Sequence, residues 1–213
     1  TSLNASMTIS EYPTKINYNS SSTKFIYNNN EYHIPLIGFH QARNASLAID
    51  VVNALYPNVK NRTIKKALKK VFWPGRMHRI EHNIFYDVSH NKNGLEKTLE
   101  TLKTLYSQKD FHGLLLLKKG KNIESLKGLI SKTFKSLIIP DNDNDLLFNS
   151  NILAEELSGL NIQCKTVSSL KKGSEIIKKL VNKDKSIGLI FGSHYVAHDI
   201  FNAFEISFDN YYI

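Results

Sequence analysis

From residue 83 onward short apolar runs alternate with helix-length amphipathic segments, and this constrains the fold more than any other feature of the 213 residues. Strands are expected at 83–88, 113–117, 136–139 and 187–191. Helices are expected at 94–106, 123–133, 151–157, 171–181 and 196–203. Strands of four to six residues separated by such helices predict a mostly parallel sheet wrapped by helices. Upstream the pattern differs. Residues 1–22 are polar and read as loop or edge. Strand-like runs at 24–27 and 32–36 flank Asn28-Asn29-Asn30, a hairpin turn. A helical stripe follows over 42–55 (Ala45, Ala48, Ile49, Val52, Leu55), stopped by Pro57 and Asn58. A basic helix at 63–71 then meets Trp73-Pro74-Gly75, which breaks the chain. The boundary near residue 73 predicts two domains, an incomplete-looking 1–72 and a compact α/β unit at 73–213.

Two polar clusters flank this boundary. Arg76 sits on a Pro-Gly turn, and eleven residues later the apolar run Ile84-Phe85-Tyr86 ends in Asp87-Val88-Ser89-His90-Asn91. In open α/β sheets ligands bind outside the carboxyl ends of the strands. An arginine fork suits phosphate and a carboxylate suits a ribose hydroxyl pair. These residues therefore read as a nucleotide or acidic-substrate site.

The formal charge of +9 permits anionic partners. Most lysines, however, lie on expected helix faces (Lys65, Lys66, Lys69, Lys70; Lys171, Lys172, Lys178, Lys179), where solvation accounts for them. No nucleic-acid-binding module is recognisable, so nucleic acid is not an expected partner. The single cysteine, Cys164, excludes an internal disulfide framework and fits a reducing compartment. No apolar run approaches the ~20 residues of a membrane span, and no signal pattern opens the sequence. A cytoplasmic monomer without membrane contact is expected. The triplets at Asn4, Asn19, Asn44 and Asn61 that match a glycosylation pattern follow from an Asn- and Ser-rich composition.

Four segments, in order, carry a family resemblance: Gly38-Phe39-His40-Gln41-Ala42-Arg43-Asn44-Ala45, Trp73-Pro74-Gly75-Arg76, Asp87-Val88-Ser89-His90-Asn91 and Gly192-Ser193-His194-Tyr195. Together they resemble G-x-H-Q-x-x-N-A, W/L-P-G-R, D-x-A-H-N and G-S-L/F-Y/H of folylpolyglutamate synthase/dihydrofolate synthase. Those enzymes lie in the Mur ligase superfamily of ATP-dependent amide-forming ligases, and the resemblance is to their C-terminal half. Ser89 replaces the usual alanine, Lys92 the usual proline, and His194 a leucine or phenylalanine. At Gly120-Lys121-Asn122 only the lysine of the family's Asp-Lys-Asp is kept.

The resemblance implies an α/β fold: a Rossmann-like C-terminal ligase domain at 73–213, preceded at 1–72 by the tail of the central ATPase domain. It also implies roles. Asn44 would contact the adenine edge, although it can equally cap a helix. Arg76 would reach the ATP phosphates, or be a surface residue. Asp87 would take the ribose hydroxyls, or cap the following helix. His90 and Ser193 would lie near the incoming glutamate or the acyl phosphate; a buried histidine and a cap of the last helix are the plainer readings. Lys121 would lie near the nucleotide, or be solvated.

His78-Arg79-Ile80-Glu81-His82 spells H-x-x-E-H, a zinc motif when helical. Here it runs into an expected strand, so no metal is assigned. His194 and His198 are read as i,i+4 on the last helix without a third ligand. No G-x-x-x-x-G-K-[ST] phosphate loop is present, and the family's loop, Mg2+ ligands and modified lysine lie upstream. The expectation is a fragment, inactive by itself. Its parent would use ATP and Mg2+ to join L-glutamate to dihydropteroate or folate. The alternatives are a Mur-type ligase adding an amino acid to a peptidoglycan precursor, and a non-catalytic basic domain binding a nucleotide or nucleic acid.

Overall fold

The computed structural model describes residues 9–207, which form two compact units that divide between Phe72 and Trp73. In the first unit β1 (Thr14–Tyr18), β2 (Thr23–Tyr27) and β3 (Asn30–Ile34) form an antiparallel sheet. Strand β1 falls in the segment expected to be loop or edge; it is a short, mostly solvated edge strand, so no apolar run announces it. The β2–β3 hairpin closes through Asn28 and Asn29, both at positive φ. Two consecutive left-handed residues match the twist of paired strands, and asparagine tolerates that conformation. Asn30, expected in the turn, already pairs with Tyr27.

Helices α1 (Phe39–Leu55) and α2 (Asn61–Leu68) cover one face of this sheet. Their core joins Phe25, Tyr27, Tyr32 and Ile34 to Ala42, Ala45, Ile49 and Ile64. Helix α1 begins three residues earlier than expected, directly after Gly38, so Asn44 lies in its second turn and does not cap it.

The second unit holds a six-stranded sheet in the order β4-β5-β9-β6-β7-β8. The strands are β4 (His78–Glu81), β5 (Ile84–Asp87), β6 (Phe111–Leu115), β7 (Phe134–Pro140), β8 (Gln163–Val167) and β9 (Ile187–Phe191). Only β4 is antiparallel to its neighbour; the other pairings are parallel. Every residue of β5, β6 and β9 is buried, as continuous apolar runs require when helices cover both faces. The crossovers are α3 (Lys92–Leu105), α4 (Glu124–Ser131), α5 (Ser150–Glu156) and α6 (Leu170–Asp184), and α7 (Ala197–Ala203) follows β9. The chain steps outward from β5 through β6 and β7 to β8. It then returns through α6 so that β9 enters between β5 and β6. The carboxyl ends of β5, β9 and β6 thereby lie side by side.

Strands β4 and β8 were not foreseen. Edge strand β8 carries mostly exposed or half-buried polar residues, and β4 holds the H-x-x-E-H segment. That segment is extended, so its two histidines do not share a helical face. His194 likewise precedes α7, so it is not paired with His198 along a helix.

Two histidines make stability depend on pH. The ring of His78 packs edge-on against Phe201 at 5.1 Å. His112 Nδ1 lies 2.7 Å from Ser136 Oγ. Its Nε2 lies 3.2 Å from Asp184 Oδ2. Burial holds both histidines below the usual value, at His112 against the opposing pull of Asp184. The unfolded chain thus takes up protons first, near pH 6.5 for a free histidine. The stabilisation from the neutral rings is complete above that pH and is lost as pH falls below it. Urea midpoints should therefore drop between pH 7 and pH 5, and a His78→Gln/His112→Gln variant should show a shallower drop. An equal slope in the variant would contradict this assignment.

Candidate functional site

The break at Trp73-Pro74-Gly75 becomes a tight turn fastened to the end of β5. Gly75 is at φ 75° and Met77 at φ 49°. The Val88 N–H donates to the Gly75 carbonyl at 2.9 Å. The Met77 N–H donates to Asp87 Oδ2 at 2.8 Å, and Asp87 Oδ1 accepts the Ser89 N–H at 2.9 Å. Asp87 is 3% exposed. Its carboxylate therefore first binds the Arg76 turn and the residues after β5 to one frame. It does not cap α3; Asn91 does, accepting the Gly94 N–H at 2.8 Å. Arg76 stands exposed at the apex of the turn, with no ion-pair or hydrogen-bond partner among the described residues.

A second cluster forms where β5, β9 and β6 end. A cavity of about 110 Å³ is lined by His90, Lys118, Lys121, Gly192, Ser193, His194 and Tyr195. His90 Nδ1 lies 3.0 Å from the Val88 carbonyl. A carbonyl only accepts, so Nδ1 carries the proton and a neutral ring keeps the Nε2 lone pair as a base. Ser193 is buried, and its Oγ accepts the Tyr195 N–H at 3.1 Å rather than capping α7, whose N-cap position is Val196. Below it the Tyr86 hydroxyl donates to the Ser193 carbonyl at 2.7 Å. Burial, with the Asp87 charge, pushes that phenol well above its usual value, so it remains a donor.

The structure thus brings His90 and Ser193 to one cavity, and Arg76 and Asp87 to one turn at the end of β5. Lys121, weighed only loosely, lines the cavity as well. Asn44 lies in the other unit, exposed on α1, where its amide donates to Gln41 Oε1 at 3.2 Å. Lys118 was missed. It follows β6 in a Lys-Lys-Gly-Lys run whose charge alone suggests solvation, and only the strand order shows that it faces Ser193. Also unforeseen is a cavity of about 480 Å³ beside β6 and β7, where the loop from Asp141 to Asn144 meets Ser168, Ser169 and Asp199.

Among the described residues no group of three or more His, Cys, Asp or Glu side chains is placed to hold a metal ion. No helix among them is long and apolar enough to cross a membrane.

No family model matches the chain. Among curated proteins it is 32% identical over 200 residues to the UDP-N-acetylmuramoyl-L-alanyl-D-glutamate–2,6-diaminopimelate ligase of Rickettsia prowazekii, covering 87% of this chain and 40% of that enzyme. It is 25% identical over 131 residues to the dihydrofolate synthase/folylpolyglutamate synthase of Mycobacterium tuberculosis, covering 58% and 27%. The chain thus spans well under half the length of these relatives. Among solved structures, Mycobacterium tuberculosis folylpolyglutamate synthase complexed with ADP and AMPPCP superposes with a TM-score of 0.83 at 20% identity, over 92% of this chain and 48% of that one. E. coli FolC in complex with DHPP and ADP gives 0.67 at 18% identity, over 87% and 44%. At these identities the superpositions establish the fold.

Proposed function

Since the chain is a relative, in sequence and fold, of the C-terminal portion of the ATP-dependent Mur-type ligases that include folylpolyglutamate synthase, we propose that it is the amino-acid-accepting part of a ligase joining L-glutamate to dihydropteroate or folate. The observation that carries this reading is the strand-end cavity. It combines a buried hydroxyl, an imidazole and two lysines, while the Arg76 turn is fastened separately to the end of β5.

In the complete enzyme a carboxylate of the folate substrate attacks the γ-phosphorus of ATP, releasing ADP and leaving an acyl phosphate. The glutamate amine attacks the acyl carbon, an amide forms and phosphate departs. Arg76 reaches the phosphates from its turn, where it offsets charge that grows as the phosphoryl group transfers. Asp87 holds that turn, and its remaining lone pairs are those left for the ribose hydroxyls. His90 Nε2 takes a proton from the glutamate ammonium so that the amine can attack. Ser193 binds a glutamate carboxylate. Asn44 serves the adenine edge. Mg2+ would neutralise phosphate charge, and its ligands are assigned to the upstream part of the enzyme.

The 213 residues contain no G-x-x-x-x-G-K-[ST] segment, so this stretch is expected to lack ATPase and ligase turnover alone. In a complete ligase carrying this chain, Arg76→Ala should lower turnover in glutamate–folate amide formation about ten- to hundred-fold, as for a lost charged hydrogen bond. The KM for glutamate should change little, because that arginine acts in the transition state. Wild-type kinetics in the variant, or no glutamate transfer by the enzyme itself, would contradict the proposal.

One observation favours a second reading. The diaminopimelate ligase match covers more of the chain than the folate ligase match. The cavity lined by Asp141, Asp143 and Asp199 would suit the distal ammonium group of diaminopimelate. The His40-Gln41 and Trp73-Pro74-Gly75-Arg76 segments support the folate branch, and we rank it first.

A further inference from the structure

We propose that Lys118, steered by Tyr195, is a specificity-determining residue that makes the strand-end cavity select an amino acid with a side-chain carboxylate over one with a side-chain ammonium or amide. This rests on the reading of that cavity as the amino-acid site.

Lys118 leaves the end of β6 half-buried. Its Nζ donates to Tyr195 Oη at 3.3 Å and sits 4.9 Å from the centre of the Tyr195 ring. Both contacts hold the ammonium in place without neutralising it, since a phenol and a ring face are uncharged partners. Lys121, three residues later, is also half-buried, and its N–H returns to the Lys118 carbonyl at 3.4 Å, closing a single turn. Among the described residues neither ammonium is paired with a carboxylate, and what sets these two lysines apart from the solvated ones is that both line one cavity. No aspartate or glutamate lines the cavity.

A small, partly enclosed cavity with one held ammonium and a second lysine in its lining lowers the free energy of an anion and raises that of a further cation. Glutamate brings two carboxylates and one ammonium, the latter opposite the His90 base. Diaminopimelate also has a second carboxylate but brings a second ammonium beside it, which the lysines repel, and glutamine lacks the side-chain charge. The sheet order supports the same assignment, since the β9 insertion sets Ser193 and Tyr195 beside the β6 end that carries Lys118. Lys118 is thus placed for the side-chain carboxylate, with Ser193 left for the α-carboxylate.

The test is amide chemical-shift titration of the isotope-labelled 213-residue chain with L-glutamate, L-glutamine and meso-diaminopimelate. Glutamate should move the amides from Gly192 to Tyr195 and bind at least about tenfold more tightly than the other two, as expected for a charge-assisted contact. Lys118→Gln should weaken glutamate about tenfold and erase the preference, Lys118→Arg should retain it, and Tyr195→Phe should fall between. The same spectra report whether each variant is folded. If glutamate moves those amides equally well in Lys118→Gln, this proposal fails while the amino-acid site stands. If diaminopimelate binds more tightly than glutamate, the proposal fails and the second reading gains. If none of the three ligands moves those amides, the amino-acid site itself is wrong and the proposal falls with it.

Discussion

Gly192→Ala should destabilise the second unit by about 3–5 kcal/mol, a large share of the 5–15 kcal/mol typical of a domain. Gly192 sits at φ 112°, outside the region open to side chains, which costs of order 1–3 kcal/mol for any other residue. An added Cβ would also lie 2.6 Å from the Leu116 carbonyl oxygen and 2.8 Å from Leu115 Cδ1. The first neighbour is backbone. Leu116 is held there by its N–H, which donates to the Phe191 carbonyl at 3.1 Å, so the strain cannot relax by a rotamer change. Overpacking of this kind adds about 1–3 kcal/mol. The control is Gly128→Ala in α4, where a Cβ meets nothing within 4 Å. There alanine should stabilise by about 0.5–1 kcal/mol through helix propensity. Urea denaturation of both variants checks the pair; a Gly192 variant within experimental error of wild type would show that β9 and β6 do not approach as described.

Asp87→Ala should cost about 2–5 kcal/mol and free the Arg76 turn. Removal of the carboxylate strands the buried Met77 and Ser89 N–H groups, each worth about 1–3 kcal/mol when unsatisfied. Asp87→Asn should cost less but not nothing. Its amide keeps one acceptor and turns a donor toward the other N–H. Amide hydrogen exchange separates this role from a purely ligand-binding one. Without any nucleotide present, Met77 and Ser89 should both lose protection in Asp87→Ala, and one of the two should in Asp87→Asn. Retained protection together with wild-type stability would return Asp87 to a role at the ribose alone.

Much of the second unit was legible because its strands are buried on both faces. Run after run of Ile, Leu and Phe marks β5, β6, β7 and β9, and β9 begins and ends where expected. Strands β1, β4 and β8 escaped for the opposite reason: they lie at sheet edges, where half the side chains face water and no continuous apolar run forms. His90 and Ser193 could be named because each follows a recognisable strand. Their common cavity could not be foreseen, since the β9 insertion between β5 and β6 depends on a return crossover that no local pattern encodes. Lys118 was hidden by the same fact. The alternative structural roles also changed hands: Asn91, not Asp87, caps α3, and Ser193 supports Tyr195 rather than α7.

The acyl-phosphate chemistry proposed for the parent ligase is tested most directly by following oxygen. A complete ligase carrying this chain is given ATP, L-glutamate and a folate or dihydropteroate substrate labelled with 18O in the reacting carboxylate. The carboxylate oxygen that attacks the γ-phosphorus must leave with phosphate when the amine displaces it. One 18O per amide bond should therefore appear in inorganic phosphate, with ADP as the other product. Label in AMP with release of pyrophosphate, or amide formation without label in phosphate, would contradict the account.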